Sequence, residues 1–427
     1  MTTSNSLPNK QDPYAALRFP EFRSYLLMRF FLTLGYQIQG VVIGWYVYSL
    51  THDPLSLGLI GLAEAIPAIG IALYGGYVAD KSNKKYLLIK VVGLILLSSS
   101  VMFVATLPAV TQSLGQALLI NIIYLMVFAN GIARGFYGPT SFSLMAMIIP
   151  RAHYPNSSTW NSSAWQTASI VGPAIGGLLY GFVGIHQTFL FILACLILSF
   201  VSTFFFKSRP ATYVQTTSIF QSLSEGLKFV FKTKMLVGAL SLDLFSVFFG
   251  GAVALIPVIA SEILHVGATE FGFLRAAPAV GAVITMLLMT RFSPMGKPWR
   301  NLLIAVSGFG ISIICYGLST NFYLTLFFLF LEGAFDSVSV IIRSTILQLL
   351  TPDDMRGRVS AVNSMFIGSS NEIGQFESGL TAKLMRTVPA IVFGGSMTLV
   401  VAGVTWLKTK KLVPLSLDEI SGSQNGK

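Results

Sequence analysis

Charge is what this sequence has least of. Only 11% of its 427 residues are Asp, Glu, Lys or Arg, against 53% hydrophobic residues, a balance that excludes a soluble domain with a solvated charged surface. Cysteine is almost missing too. Cys195 and Cys315 both fall inside apolar runs, so they read as reduced filler and no disulfide framework is expected. None of the four histidines stands at metal-ligand spacing from another, and the chain has no phosphate-cradling glycine loop and no Gly-x-Ser-x-Gly elbow. ATP-driven work, hydrolysis, a metal and a cofactor therefore have no basis in the sequence, and no enzyme activity is expected. Nor is a cleaved leader expected, because residues 1–20 are polar and the first apolar run is long enough to cross a bilayer.

What remains is a succession of apolar runs of about 20 residues or more, the length of a membrane-crossing helix and twice that of a barrel strand. The expected class is an all-α polytopic membrane protein. Twelve spans are read at 24–50, 55–79, 86–106, 115–149, 160–184, 187–206, 235–263, 270–292, 301–319, 322–350, 358–384 and 389–408. They form two six-helix bundles, 23–206 and 235–408, joined by a polar linker at 207–234 and flanked by polar ends at 1–22 and 409–427. The net charge of +11 is a matter of placement. Of 28 Lys and Arg, 22 lie in the termini, the alternate loops on one side or the span ends that adjoin them, four lie deep inside spans (Arg29, Arg134, Arg275 and Arg343), and only Lys383 and Arg386 lie toward the other side. That asymmetry puts both termini in the cytoplasm and removes nucleic acid as the reason for the basicity.

The two bundles are related in sequence. At an offset of 202, Phe128, Gly131, Pro150, Ser158, Asn161, Ser162, Gly172, Gly177 and Leu178 recur as Phe330, Gly333, Pro352, Ser360, Asn363, Ser364, Gly374, Gly379 and Leu380. At 211, Gly61, Ala65, Pro67, Ala68 and Gly70 recur as Gly272, Ala276, Pro278, Ala279 and Gly281. Offsets that drift only where loops differ are the mark of a duplicated unit. Six spans per unit keep both copies in one orientation, with a binding site expected at midplane between them.

Three stretches carry a family resemblance. In the fifth span, Gly172-Pro173-x-x-Gly176-Gly177 sets Gly172 and Gly176 on one helix face, where a neighbouring backbone can press close, beside a proline that deletes a backbone donor. After the second span, Gly76-Tyr-Val-Ala-Asp80-Lys81-Ser-Asn83-Lys84-Lys85 is a tight basic turn with Asn83 in place of a second glycine, read as tolerating a left-handed backbone. After the tenth stands Thr351-Pro-Asp353-Asp354-Met-Arg356-Gly-Arg358-Val, with the Asp pair at a helix start. Together these resemble the major facilitator superfamily, in its exporter branch of siderophore, macrolide and multidrug efflux proteins. The resemblance implies that all three stretches are gating elements, and that helices 1, 4, 7 and 10 line a central cavity.

Charged groups inside spans are the strongest functional candidates, since each costs at least about 2.5–3.5 kcal/mol at midplane unless paired or wet. The repeat sets Arg134 on Asp336, Glu64 on Arg275 and Arg29 on Asp243, three related positions of opposite sign. With the cavity arrangement that the resemblance implies, an arginine wall faces an acidic wall, while Glu64, Arg275 and Glu372 are candidates for pairing between bundles. Glu332, Asp336 and Arg343 lie four and seven apart, on one stripe of the tenth span. Asp243, Asp336 and Glu332 are the nominated proton carriers. Arg29, Arg134 and Arg343, with Tyr36, Gln37 and Gln39, are the nominated cavity residues, the amides because an amide facing lipid is unsatisfied. Static ion pairs that fix helix register are the alternative role for these charges.

The expectation is a secondary transporter in a bacterial cytoplasmic membrane, monomeric, that exports a small amphiphilic or anionic compound, siderophore-like or drug-like, against proton entry. Flipping of a lysophospholipid or another lipid is the transport alternative. A non-transporting sensor or scaffold on the same fold is the alternative outside transport.

Overall fold

The computed structural model describes residues 14–150, 153–209, 219–352, 355–416 and 419, and they form helices with no strand among them. In chain order the long helices are α1 (Pro20–Thr51), α2 (Pro54–Lys81), α3 (Lys84–Ala105), α4 (Gln116–Ile148), α5 and α6 (the two arms of Tyr154–Phe204), α7 (starting at Lys234–Phe249), α8 (Ala268–Arg291), α9 (Pro298–Leu318), α10 (Phe322–Leu350), α11 (Arg356–Met385) and α12 (Thr387–Lys408). Ten of these stretches are long and apolar enough to cross a membrane. The count of twelve needs two more observations. Tyr154–Phe204 is interrupted at Gly184 by a backbone of φ 80° and ψ 179°, a conformation open essentially to glycine. Both its arms pack on α1: Gly172 against Gln37, and Cys195 and Leu196 against Gly35. Hence the chain reverses at Gly184. The other is α11, long enough to span but too polar to qualify by composition, since it carries Glu372, Glu377 and a run of Ser, Asn and Gln.

Local sequence explains where these helices begin. Proline occupies the first turn of α1, α2 and α9, where its missing N–H costs nothing. Side-chain oxygens of Asp53, Asn83 and Asn321 accept from the backbone N–H groups of Leu55, Lys85 and Leu324, satisfying donors that a helix start leaves open. Asn83 thereby departs from the expected left-handed turn. Its φ is −65°, because an N-cap needs extended backbone, so the residue starts α3.

The duplication is visible in the packing. Gly131 of α4 presses on Pro67 of α2, 2.6 Å from where its Cβ would stand, and Gly333 of α10 presses likewise on Pro278 of α8. These are the two proline and glycine pairs that the offsets relate. The junction between bundles repeats as well. A Cβ on Gly177 of α5 would lie 2.9 Å from Gly272 of α8, and one on Gly379 of α11 would lie 2.9 Å from Gly58 of α2. Large apolar side chains such as Leu125, Leu190, Leu287 and Val400 stay exposed on the outer faces, as a surface bathed in hydrocarbon requires.

Candidate functional site

Contacts between the bundles gather at the end that carries the α1–α2, α5–α6, α7–α8 and α11–α12 turns, here the gate end. Trp45 of α1 stacks on Phe271 of α8 with centroids 4.3 Å apart. Thr269 donates to the Gly181 carbonyl at 3.0 Å, and Lys383 pairs with Asp53 at 2.8 Å. The Tyr48 hydroxyl donates to Glu262, which sits in a π-helical turn ending the α7 span. Sequence reasoning passed over Asp53 and Glu262. Lys383, one of only two cations assigned to that side, was the available signal.

Away from that seal, one cluster joins the bundles. Arg134 of α4 contacts the carboxylates of both Glu64 on α2 and Glu372 on α11, and its guanidinium carbon stands 5.8 Å from the centre of the Tyr36 ring on α1. The arginine side chain is 35% exposed while the two acids are 16% and 10% exposed, so the cation is the member that meets the opening. One turn from Tyr36 and from Arg134, Gly40 and Gly138 are exposed and have nothing within 4 Å of where a Cβ would stand. Open space therefore runs along both helices beside this cluster.

A second cluster lies inside the C-terminal bundle. Arg343 of α10 forms a buried ion pair with Asp243 of α7 and stands 3.4 Å from the Ser339 hydroxyl. Two turns away on α10, Asp336 lines a small pocket with Asp243, Ser246, Val306, Phe309 and Ser339. Both clusters set one guanidinium against two carboxylates. Fully ionised, each carries one net negative charge, which a single proton neutralises and an apolar environment favours neutralising.

The remaining intramembrane charges sort differently from the opposed walls read in the sequence. Arg134 does not face Asp336; it is taken up by Glu64 and Glu372. Glu64 does not pair with Arg275, which donates instead to the Val253 carbonyl at 3.2 Å and has Glu332 and Tyr316 as its electrostatic neighbours. Among the described residues Arg29 meets no acid, but lies among Tyr25 and Tyr137. The stripe of α10 is divided, with Glu332 beside Arg275 and the other two members beside Asp243. Gln39 is buried and accepts from Ser99 of α3 at 2.5 Å, because α3 supplies the donor its amide needs. It therefore leaves the cavity set, while Gln37 reaches the Ser169 carbonyl of α5 at 3.4 Å.

In the gating stretches, Gly172 and Gly176 press on Gln37 and Ile38 of α1 in their own bundle, whereas Gly177 meets α8 of the other. Pro173 lies inside the same helix and Gly76 near the end of α2. Lys81 stands over the Tyr77 ring at 4.4 Å, Lys84 is buried on the Ala79 and Ser82 carbonyls, and Lys85 bonds the Phe204 carbonyl at 2.9 Å. The side chains of Asp80, Arg356 and Arg358, and residues Asp353 and Asp354, lie outside the described residues.

The model of one family, described as transmembrane secretion effector, matches residues 11–424. The chain belongs to the transmembrane secretion effector family. Its curated relatives include the enterobactin exporters of Shigella flexneri and of Escherichia coli O81, each 23% identical over 387 residues and covering 90% of both chains. Among solved structures it is similar to a D-xylose–proton symporter (TM-score 0.69, 14% identity, 93% of this chain and all of that one). It is similar also to a bacterial homologue of the human lysosomal transporter Spinster, in an inward-facing and unoccupied conformation (TM-score 0.67, 13% identity, 92% and 97% covered). This member of the secretion effector family is a multi-pass membrane transporter of the major facilitator type and not an enzyme.

Proposed function

We propose that the protein exports a small amphiphilic or anionic compound from a bacterial cytoplasm by exchange with protons, with both termini and the linker on the cytoplasmic side. The observation that carries this reading is the Asp243–Arg343 pair with Asp336 on the same pocket. Three charges of net −1, set among α7, α9 and α10, have a state one proton richer that is neutral. A cargo that binds the deprotonated state and is released from the protonated one couples the two fluxes; equal affinity for both states would drive nothing. The clustering of contacts at the gate end supports a conformation closed to the outside. The likeness to enterobactin exporters favours siderophore-like or drug-like cargo, and the positive-inside asymmetry favours the orientation.

Everted vesicles acidified inside test the reading, with enterobactin heading a panel of siderophores and lipophilic drugs. The wild type accumulates its cargo, and Asp243→Asn and Asp336→Asn, at normal expression, lose accumulation while still equilibrating cargo downhill. Uphill accumulation at the wild-type rate in both variants removes the proton assignment. Movement of lysophospholipid alone identifies a flippase, and no flux of any kind identifies a sensor or scaffold.

A further inference from the structure

Arg29 is an intramembrane cation with no carboxylate beside it among the described residues. The groups that act on it are the phenols of Tyr25 and Tyr137, and among the described residues it forms no ion pair. Its Nε is buried without a hydrogen-bond partner, and the Tyr137 hydroxyl has none beyond the guanidinium itself. Tyr25, 1% exposed, shares a 2.8 Å hydrogen bond with Ser141, equally buried. Three groups from α1 and α4 thus gather at one positive charge, whose Nε is unused and beside which the Tyr137 O–H is free to donate. A buried polar group without a partner is disfavoured, and a charged one more so, so these atoms call for an occupant.

The duplication shows what is missing. Arg29 corresponds to Asp243 at the offset of 214, and Ser141 and Tyr137 correspond to Arg343 and Ser339 at 202. In the C-terminal bundle these positions hold Asp243 and Arg343, which neutralise one another. In the N-terminal bundle the first has become a cation and the second a neutral hydroxyl, so the same place carries an unbalanced charge of +1. Every group around it can donate a hydrogen bond.

We infer that Arg29, Tyr25, Tyr137 and Ser141 form an oxyanion subsite, which receives the negatively charged group of the cargo while the rest of that molecule lies toward the opening by Tyr36 and Arg134. A planar carboxylate matches the guanidinium fork, with the phenols placed to donate to its outer lone pairs and to flank an aromatic body. The inference rests on the export reading for the cargo but not on proton coupling.

Benzoate and its neutral isostere benzamide are the probes, titrated by isothermal calorimetry into the purified full-length protein in detergent. Binding needs no gradient, so a failure of proton coupling leaves this result untouched. The wild type is expected to prefer benzoate by about tenfold or more. Arg29→Gln removes the preference, and Arg29→Lys restores part of it. Tyr137→Phe, which deletes one hydroxyl and leaves the charge and the shape, weakens benzoate severalfold and leaves benzamide unchanged. Competition by dispersed phosphatidylglycerol, but not by inorganic phosphate, assigns the same oxyanion site to a lipid headgroup; competition by phosphate assigns it to soluble cargo. Equal affinity for the two probes in the wild type, or a benzoate preference that survives Arg29→Gln in folded protein, overturns the inference.

Discussion

Substitution of Gly177 by alanine separates the junction between bundles from packing within one. The new Cβ would stand 2.9 Å from the Gly272 Cα, 3.0 Å from the Arg275 Cβ and 3.1 Å from the Gly272 carbonyl oxygen. Two of these are backbone atoms of α8, which cannot rotate away as a side chain does. Overpacking of this kind costs about 1–3 kcal/mol. If the contact exists only while the gate end is shut, that whole cost falls on the shut state and moves the equilibrium toward the open one by about 5- to 150-fold. Spin labels at Ser113 and Thr320, exposed residues beside the α3–α4 and α9–α10 turns, report the separation of the bundles by double electron–electron resonance. Gly177→Ala should transfer population to the longer distance. Gly172→Ala is the control: its Cβ would meet Gln37 of the same bundle at 2.6 Å, so it should lower the unfolding temperature without changing the distance distribution. An unchanged distribution in Gly177→Ala, or an equal shift in the control, refutes the assignment of this glycine to the moving junction.

Other expectations follow from single contacts. Arg386 starts α12 with φ 72° and ψ 162°, a region that costs a non-glycine residue about 1–3 kcal/mol. After about 0.4–1 kcal/mol of added unfolded-chain entropy, Arg386→Gly should raise the unfolding temperature by a degree or more, and a lowered temperature contradicts the strain. Ser99→Ala leaves the buried Gln39 carbonyl without its donor, a loss of about 1–3 kcal/mol that chemical denaturation in mixed micelles should register; an unchanged midpoint contradicts a structural role for that amide. Tyr48→Phe removes the hydrogen bond to Glu262 across the gate end and should lengthen the same spin-label distance in part, with no effect on thermal stability beyond about 1 kcal/mol.

The spans and the duplication were legible because the bilayer imposes them one segment at a time: length and hydropathy are local quantities. The glycine and proline pairs were legible as a repeat for the same reason, and the structure turns them into matched helix contacts. What the sequence could not carry was the rotation of each helix about its axis. Arg134 and Asp336 occupy related positions, yet relation by a pseudo-twofold says nothing about which third helix comes near. Glu372, on the more polar α11, takes the place that the opposed-wall picture gave to Asp336. Gln39 failed for a simpler reason, because a lone amide in a span satisfies itself on any hydroxyl within reach, and Ser99 on a neighbouring helix was not visible as its partner. Gly184 and Arg386 stand at the repeat offset of 202 with nearly the same backbone, but nothing in an arginine announces a glycine conformation.

The account turns on the statement that cargo and proton compete for the acids around Arg343. Proton release on cargo binding measures this most directly, read with a pH-sensitive dye in weakly buffered detergent solution of the purified protein. The account predicts that cargo identified in the vesicle assay releases protons from the wild type at a pH where Asp243→Asn and Asp336→Asn, binding the same cargo, release fewer. Cargo binding without proton release at any pH, or release unchanged by both substitutions, would contradict it.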